Sequence, residues 1–207
     1  IMSRKEFHLI LEASEQIAPD VKHFTFRYEE GESFEFIPGQ FITLHIPTAE
    51  KVLRRSYSIA NKTHQGTNKI EFAASYVPAG IASELLFTLK PGDSVTATGP
   101  FGRLILREEM PERYVLVATG TGVTPYRTML AELEQRFKLR PCFKVILLFG
   151  VRRREDLLYR DEFIAFAEKN VWFEFHAYYS RVKLHEALSY EHTGYVLNAF
   201  SEIKPNA

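Results

Sequence analysis

Residues 114–125 read YVLVATGTGVTP, and this stretch decides the fold of the later half of the chain. The apolar run Tyr114–Ala118 predicts a buried strand, and Gly120–Pro125 predicts a tight turn. Pro125 suits the first position of a helix, where its missing N–H costs nothing, so a helix is predicted over Pro125–Phe137. A glycine turn between a strand and a helix is the setting of a nucleotide-binding turn. Because the motif is not GxGxxG, a purely structural turn is the alternative.

The rest of the later half repeats this alternation. Buried strands are predicted over Lys144–Phe149 and Trp172–Tyr178, and a helix is predicted over Leu157–Lys169. Strands that alternate with helices indicate a parallel sheet with helices on both faces. The later half is therefore predicted to be an α/β domain that binds a nucleotide.

The earlier half has a different pattern, in which short runs rich in Phe, Thr, Ile and Val are separated by Pro, Gly and Asn. This pattern predicts an antiparallel β-barrel with one short helix, Ile81–Leu89. The polar segment 107–113 is predicted to link a barrel domain (1–106) to the α/β domain (114–207). The barrel strands are predicted over Val21–Tyr28, Gln40–Ile46, Arg55–Ala60, Lys69–Tyr76 and Ser94–Thr98.

Composition excludes several classes of protein. The 26 basic and 26 acidic residues balance, so broad attraction to nucleic acid or to acidic membranes is not expected. The single cysteine, Cys142, excludes an internal disulfide, a four-cysteine zinc site and an iron–sulfur cluster ligated within this chain. The seven histidines show no metal-ligand spacing, so no metal is expected. With no apolar run near the ~20 residues of a membrane span and no secretory signal, we expect a soluble, cytoplasmic protein. A monomer is expected as well.

Arg55-Ser56-Tyr57-Ser58 puts a positive charge, a flat ring and a hydroxyl in one predicted strand. Residues two apart share a face, so Arg55 and Tyr57 point the same way. A guanidinium suits a phosphate oxygen, and a tyrosine ring suits stacking on an isoalloxazine. Ser58 faces the other way and reaches a flavin only if the strand bends. Arg54 also faces away from Arg55, so only one of the two can serve a phosphate. An exposed Arg–Tyr pair of the barrel is the alternative.

Pro78-Ala79-Gly80-Ile81-Ala82-Ser83 provides a second candidate phosphate site. Gly80 lacks a Cβ and allows close approach of a ligand. Ala82 and Ser83 lie in the first turn of the predicted helix, where unpaired N–H groups and the helix dipole favour an anion. The alternative is that Ser83 only caps the helix. Together with Arg55, this turn would bind the two halves of one pyrophosphate.

These motifs, in this order, resemble those of the ferredoxin–NADP+ reductase superfamily of flavin-dependent oxidoreductases, and the resemblance covers nearly the whole chain. The matching segments are Pro38-Gly39-Gln40-Phe41, Arg55–Ser58, Gly80–Ser83, Gly99-Pro100-Phe101-Gly102, Gly120–Pro125, Gly150 with Arg152, and Ser180-Arg181.

The resemblance implies a flavin-binding barrel followed by a nicotinamide domain. It implies that Arg55 binds the flavin phosphate, that Tyr57 stacks on the isoalloxazine, and that Ser58 lies near N5, where hydride arrives. Tyr57 and Ser58 are therefore the expected catalytic residues, and FAD is expected rather than FMN because two phosphate sites fit a pyrophosphate. The flavin is further expected to contact Ile59, Tyr76, Val77, Gly80, Ala82 and Ser83, and the nicotinamide nucleotide to contact Gly120, Thr121, Gly122, Thr124 and Pro125.

The basic run Arg152–Arg154 follows the second strand of the later half, at the edge where open α/β sheets bind ligands. Arginine forks suit a 2′-phosphate. A solvated basic turn, balanced by the two acidic residues that follow it, is the alternative. Ser180 and Arg181 resemble the pair that binds the 2′-phosphate of NADP+ in many members of the superfamily. With Arg152 they favour NADP(H) over NAD(H).

The expected activity is that of a ferredoxin/flavodoxin–NADP+ reductase, which moves hydride between NADP(H) and FAD and single electrons to or from ferredoxin or flavodoxin. The alternatives are the reductase component of an oxygenase system and a flavin-binding electron-transfer subunit without NAD(P)H turnover of its own. Members of the superfamily continue beyond the equivalent of Gly194–Phe200 with a strand, a cysteine-containing turn and a final helix. The α/β domain is therefore expected to be incomplete at its C-terminus.

Overall fold

The computed structural model describes residues 6–62 and 66–201 of the 207-residue chain. The chain divides into two compact units. The first comprises the residues up to Arg107 together with Thr124–Gln135, and the second comprises Glu108–Val123 and the residues from Arg136 onward. Thr124–Gln135, in the helix that follows the glycine turn, therefore groups with the first unit by its contacts. A single domain boundary at residues 107–113 would have put this segment in the second unit. The domain bounds drawn from the sequence stay a prediction.

The first unit contains a six-stranded sheet in which every pairing is antiparallel. The strand order is β4-β3-β6-β1-β2-β5, so β4 and β5 are the outer strands. The strands are β1 (Glu6–Ala18), β2 (Val21–Tyr28), β3 (Phe41–Pro47), β4 (Val52–Ser58), β5 (Lys69–Ser75) and β6 (Ser94–Phe101), and the helix α1 (Ile81–Thr88) lies between β5 and β6.

The segment that follows β4 meets β5 and closes the sheet toward a barrel. The Ala60 N–H donates to the Glu71 carbonyl at 2.7 Å. The Asn61 side chain donates to the Lys69 carbonyl and accepts from the Glu71 N–H, both at 2.8 Å. These bonds satisfy backbone groups that an edge strand would otherwise leave exposed.

Strand β1 is absent from the strands predicted from the sequence. Its first half alternates as a strand should, with Phe7, Leu9 and Leu11 buried. Its second half, Glu12–Gln16, carries mostly exposed residues and follows an irregularity in the pairing with β2. Because the alternation of buried and exposed residues stops halfway along β1, the sequence pattern predicts this strand only weakly.

The core of the first unit is largely aromatic. Phe24 and Phe26 of β2 alternate inward and both stack near Phe72 of β5, with ring centroids 5.5 and 5.4 Å away. All three side chains are fully buried. Alternation of Phe along β2 is thus what places these rings on the inner face of the sheet.

The second unit contains a four-stranded parallel sheet, as the alternating pattern predicts. Its order is β10-β9-β8-β7. The short strand β10 was not predicted, and α3 begins at Arg160 rather than Leu157 because Tyr159 takes a left-handed conformation, with a φ of 54°. The elements are β7 (Arg113–Thr119), α2 (Thr124–Leu139), of which Thr124–Gln135 belongs to the first unit, β8 (Lys144–Val151), α3 (Arg160–Lys169), β9 (Phe173–Tyr179) and β10 (Glu191–Thr193).

Neither a membrane-spanning helix nor a metal site of three or more ligands occurs among the described residues. No helix among them is long and apolar enough to cross a membrane. In the same part of the chain, no group of three or more His, Cys, Asp or Glu side chains is arranged to hold a metal ion.

Candidate functional site

The first candidate site is the opening between the outer strands β4 and β5. Ala60, just beyond β4, bonds to Glu71 of β5, whereas β4 itself is not paired with β5 within residues 6–62 and 66–201. Arg55 belongs to the β4 side of this opening, and the turn that follows Tyr76 continues the chain from the β5 side.

Arg55 and Tyr57 share one face of β4, as alternation predicts. Arg55 lies opposite Leu44 and Tyr57 opposite Ile42 in the β3–β4 pairing, and both partners point into the core. The Arg55 guanidinium is exposed, and its Nη1 donates to the Arg54 carbonyl at 2.9 Å. A guanidinium carries five N–H donors, so this one bond leaves donors for an anion.

Tyr57 is held from one side by the core. Its ring stacks on Phe72 with centroids 4.8 Å apart and an interplanar angle of 25°. Burial raises the pKa of the Tyr57 phenol, which the positive charge of Arg55 partly opposes. The ring is therefore neutral at physiological pH, and a neutral ring supported on one face suits stacking of a flat ligand on the other.

Ser58 and Ile59 differ in what they offer a ligand. Ser58 is half-buried at the end of β4, opposite Phe41. The Ile59 side chain is fully buried in the core, and its N–H donates to the Gln40 carbonyl at 3.0 Å. The Ile59 side chain belongs to the core, so the predicted flavin contact of this residue, which stays a prediction, would be made by its backbone.

The turn after Tyr76 is stabilised by Ser83. The Ser83 hydroxyl donates to the carbonyls of Val77 (2.8 Å) and Gly80 (2.9 Å) and accepts from the Val77 N–H (3.0 Å). The residue is 5% exposed. The hydroxyl of Ser83 is thus committed to the turn, so a contact with pyrophosphate would be made by its backbone N–H.

The start of α1 has N–H groups that precede the first hydrogen bond of the helix. The first hydrogen bond of the helix runs from the Glu84 N–H to the Gly80 carbonyl at 2.9 Å, so the N–H groups of Ile81, Ala82 and Ser83 precede it. A Cβ on Gly80 would approach the Val77 carbonyl and the Ser83 hydroxyl to 2.9 Å each. Glycine is therefore demanded at this position by the turn itself, in addition to any ligand.

The side chains of Tyr76 and Val77 lie beside this turn in the sequence. The Tyr76 hydroxyl donates to Glu84 Oε1 at 2.5 Å, and this bond raises the pKa of the Tyr76 phenol. The Tyr76 ring also packs on Phe87, with centroids 5.2 Å apart. Val77 is 56% exposed, which leaves its side chain accessible to a ligand.

The second candidate site is the glycine turn of the second unit, a 3₁₀ turn over Gly120–Val123 at the carboxyl end of β7. Gly120 has a φ of 51°, a left-handed conformation that favours glycine. A Cβ on Gly122 would meet no atom within 4 Å, so packing in the described part of the chain does not demand glycine there. Thr121, between them, is half-buried. Open space beside a turn at the carboxyl end of a parallel strand is the place where α/β sheets bind ligands.

Thr124 and Pro125 follow the glycine turn at the start of α2. Both are buried in the first turn of α2, and the Pro125 carbonyl accepts a hydrogen bond from the Thr128 hydroxyl at 2.7 Å. Pro125 occupies the first turn of the helix, as predicted. The contact of both residues with the nicotinamide nucleotide stays a prediction.

The carboxyl ends of β8 and β9 bring three predicted residues together. The Arg181 N–H donates to the Arg152 carbonyl, and the Ser180 N–H donates to the Val151 carbonyl, each at 3.0 Å. Arg152 and Arg181 are exposed and Ser180 is half-buried. The structure therefore places two arginines and a hydroxyl at one edge of the parallel sheet.

Arg154 has a different role from Arg152. Its Nε and Nη2 donate to the two carboxylate oxygens of Glu191, at 2.8 and 2.5 Å, and Nη2 also donates to the Glu186 carbonyl at 2.8 Å. Glu191 also accepts from the Tyr179 hydroxyl and the Leu188 N–H, both at 3.0 Å. The guanidinium of Arg154 is thus engaged within the protein, and Glu191, which the sequence did not single out, fixes the segment that follows Arg181.

Glu191 makes the stability of the second unit dependent on pH. Burial alone would raise the pKa of this carboxyl, but the hydrogen bonds from Arg154, Leu188 and Tyr179 outweigh it and hold the pKa below the usual 4.5. A pKa lowered by folding stabilises the folded state above the pKa of the unfolded chain, and this gain is lost as the pH falls through the folded pKa. We expect Glu191→Gln to be less stable than wild type near pH 7, with the gap narrowing below about pH 4.5. Urea unfolding across that range measures the gap, and a constant gap would contradict the assignment.

Arg127 of α2 is a buried charged residue that was not among the residues predicted from the sequence. It is 6% exposed, and its Nη1 donates to the Ala60 carbonyl at 2.5 Å and to Glu71 Oε2 at 3.0 Å. A signal was available: Arg127 lies three residues before Leu130 and so shares the apolar face of an amphipathic helix. A charge on such a face needs a buried partner.

Comparison with known proteins identifies the family. The oxidoreductase FAD-binding domain family matches residues 8–105, and the oxidoreductase NAD-binding domain family matches residues 116–205. Ferredoxin–NADP reductase B of Sorangium cellulosum is 34% identical over 167 residues, which cover 81% of this chain and 67% of that protein. The chain belongs to the ferredoxin–NADP+ reductase superfamily. This membership confirms the prediction of a flavin-dependent oxidoreductase with an antiparallel barrel followed by a parallel α/β unit.

Other members of the superfamily are similar over different lengths. Methane monooxygenase component C of Methylosinus trichosporium is 37% identical over 137 residues, 66% of this chain and 38% of that protein. The crystal structure of an Amycolatopsis cytochrome P450 reductase aligns with a TM-score of 0.81 and 28% identity over 96% of this chain and 57% of that one. A ferredoxin NADP+ reductase from Neisseria gonorrhoeae with bound FAD and NADP shares the fold, with a TM-score of 0.79 and 24% identity over 96% of this chain and 76% of that one. The chain therefore spans well under half of the monooxygenase component.

Proposed function

We propose that this superfamily member is a reductase that transfers hydride between NADP(H) and FAD and exchanges single electrons with a ferredoxin or flavodoxin. The observation that carries the proposal is the exposed Arg55 beside the supported ring of Tyr57, at the opening between β4 and β5. The N–H groups at the start of α1 belong to the segment that follows β5, the other strand of that opening. Two anion-binding groups on opposite sides favour a pyrophosphate and hence FAD over FMN.

When bound, the flavin supplies the redox chemistry, since it accepts two electrons with a hydride and releases them singly. The residues of the chain supply position and charge. Arg55 and the α1 N–H groups would bind the pyrophosphate, and Tyr57, supported by Phe72, would stack on the ring system. Ser58, where the ladder between β3 and β4 ends, would bring its hydroxyl to the reactive edge of the ring if the chain bends at that point. No side chain is required to act as a general base.

For the nucleotide, we propose that the turn Gly120–Val123 approaches the nicotinamide half while Arg152, Ser180 and Arg181 bind the 2′-phosphate of NADP(H). The main-chain bond between Arg152 and Arg181 supports this, because it brings two exposed guanidinium groups to one edge of the sheet. Arginine forks bind phosphate oxygens in pairs. Arg154 is not part of the proposed set because Glu191 already binds it.

We expect Arg181→Gln to raise the KM for NADPH roughly 10- to 100-fold while changing the KM for NADH by less than about threefold, since the lost bonds to a charged group are worth about 1.5–3 kcal/mol. Steady-state reduction of an artificial electron acceptor with each nucleotide measures both constants. Arg153→Gln is the matched control: Arg153 is exposed and neighbouring, and it faces Glu155 at 3.7 Å. An equal loss with NADH and NADPH would remove Arg181 from the 2′-phosphate site.

The proposed activity is tested by stopped-flow reduction of the FAD-loaded protein with NADPH and NADH in parallel, followed by reoxidation with ferredoxin or flavodoxin. Rapid bleaching of the flavin by NADPH and single-electron reoxidation by either protein are expected. Reduction by NADH alone would replace NADP(H) with NAD(H) in the proposal. Light scattering in the same buffer tests the proposed monomer.

A reductase component of an oxygenase is the second candidate, and the similarity to methane monooxygenase component C favours it. The single cysteine of this chain cannot ligate an iron–sulfur cluster by itself, so the acceptor in that case would lie outside residues 1–207. Bound flavin that no nicotinamide nucleotide bleaches would instead favour an electron-transfer subunit without turnover of its own.

A further inference from the structure

Arg127 joins the first turns of α2 to the segment that follows the flavin-side residues of β4. Nη1 of this residue donates to the Ala60 carbonyl and to Glu71 Oε2, and Ala60 is only two residues beyond Ser58. Because the guanidinium is 6% exposed, these bonds form away from competing water. A buried guanidinium bound to a main-chain carbonyl fixes that carbonyl more firmly than a surface contact would.

The partner of Arg127 is itself held in place. Glu71 Oε2, the atom that accepts from Arg127, is also 3.4 Å from His23 Nε2. The backbone of Glu71 bonds the same segment from the β5 side, with the Ala60 N–H on its carbonyl and the Asn61 side chain on its N–H. Burial alone would raise the pKa of Glu71, but the bond from His23 and the charge of Arg127 outweigh it and hold the pKa below the usual value. The pair is therefore ionised at neutral pH.

The ladder between β3 and β4 ends at Ser58. Beyond it the chain is held on the β3 side by the bond from the Ile59 N–H to the Gln40 carbonyl, and on the other side by Glu71 and Arg127. Arg127 is the only one of these restraints that is a side chain from outside the sheet. Arg127 therefore links the segment after β4 to α2 within the first unit.

We propose that Arg127 is a positioning residue that fixes the end of β4, and with it the Ser58 hydroxyl, against the flavin. This rests on the proposed function, because it assigns Ser58 to the flavin's reactive edge. The physical reason is geometric: a reacting pair displaced by about 1 Å loses up to about 100-fold in rate. The role requires no contact between Arg127 and any cofactor.

The test compares Arg127→Leu, Arg127→Lys and a matched control, Thr128→Val. Thr128 is 1% exposed, lies on the same helix, and accepts from the Gly39 N–H at 3.1 Å, so its loss also removes a buried bond between α2 and the barrel. Among the described residues, the hydrogen bonds of the Thr128 hydroxyl go to Gly39 and Pro125, whereas Ala60 is bound by Arg127. The readouts are the Kd for FAD, the visible circular dichroism of bound FAD, the melting temperature, and the rate of flavin reduction by NAD(P)H.

We expect Arg127→Leu to bind FAD within about threefold of wild type, to show altered visible circular dichroism, and to be reduced about 10- to 100-fold more slowly with little change in nucleotide KM. Arg127→Lys, whose single ammonium reaches one of the two acceptors, is expected to lie between Leu and wild type. Thr128→Val is expected to lower the melting temperature while keeping the wild-type spectrum and rate. If Arg127→Leu does not fold, Arg127→Lys carries the same comparison against Thr128→Val.

The proposal is wrong if Arg127→Lys and Arg127→Leu both keep the wild-type circular dichroism of bound FAD and the wild-type rate of flavin reduction. It is also wrong if Thr128→Val changes both readouts in the same way, because Arg127 would then have only a structural role. The circular dichroism of bound FAD needs no nicotinamide turnover. If wild-type protein is reduced by neither nucleotide, the proposed function fails, and the circular dichroism still decides whether Arg127 positions the flavin environment.

Discussion

Arg55→Leu is expected to raise the Kd for FAD roughly 100-fold, because it removes a forked, charge-assisted pair of hydrogen bonds to a phosphate. The exposed guanidinium of Arg55 makes one bond within the protein, to the Arg54 carbonyl, so its removal leaves no buried partner unsatisfied. Leucine fits a strand and retains the length of the apolar stem. The loss is therefore expected in FAD affinity and not in folding.

Arg54→Leu is the matched control for this experiment. Arg54 is also exposed, is adjacent in sequence, and lies opposite His45 in the β3–β4 pairing, one position away from the Leu44 opposite Arg55. Because neighbours in a strand project from opposite faces, Arg54 points away from the opening. Its substitution is expected to change the Kd for FAD by less than about threefold.

Fluorescence titration of apoprotein with FAD, and with FMN in parallel, measures both variants. Since FMN carries one phosphate, the ratio of the FAD effect to the FMN effect shows whether Arg55 binds the phosphate nearest the flavin ring or the distal one. Equal loss in Arg54→Leu and Arg55→Leu would mean that net charge governs binding. An unchanged Kd in Arg55→Leu would remove the residue from the cofactor site.

Much of the architecture follows from local sequence. The alternation along β2 defines both of its ends, and the same alternation puts Arg55 and Tyr57 on one face of β4. The strand–turn–helix pattern at Gly120–Pro125 likewise predicts the parallel sheet and the place of its loop. These features depend on neighbours within a few residues, which a single sequence displays.

The roles that the sequence left open depend on partners far along the chain. Three consecutive arginines, Arg152–Arg154, are indistinguishable until Glu191, 37 residues after the last of them, binds Arg154. Similarly, Arg127 is 56 residues from Glu71 and 67 from Ala60. Burial of a charge is decided by such distant partners, so local patterns indicate that one is needed without saying which.

Ser83 illustrates a different limit. Its place in the first turn of a helix predicts an anion contact, but its hydroxyl bonds to Val77 and Gly80 only six and three residues away. The partners are local, yet the choice between capping the turn and binding a ligand depends on backbone geometry that residue types do not encode. The same geometry explains why Gly80 has to be glycine.

Gly39→Ala is expected to cost more than about 4 kcal/mol in the free energy of unfolding, the range reached by severe steric clashes in the core. Gly39 has a φ of 101°, and a Cβ there would lie 1.8 Å from the Leu104 carbonyl oxygen and 2.6 Å from the Met129 methyl carbon. The methionine can move aside, but the carbonyl belongs to the backbone. The Gly39 N–H also donates to the buried Thr128 hydroxyl at 3.1 Å, so the turn that contains Gly39 cannot shift without breaking that bond.

Gly92→Ala separates the clash from the backbone strain. Gly92 has nearly the same φ, 98°, but a Cβ there would meet no atom within 4 Å. Its substitution therefore measures the cost of placing alanine in that conformation, about 1–2 kcal/mol. Urea unfolding of both variants, followed by far-UV circular dichroism, should give a much larger loss for Gly39→Ala. Similar losses at both positions would show that the segment around Leu104 can move away from Gly39, because then strain alone would account for both.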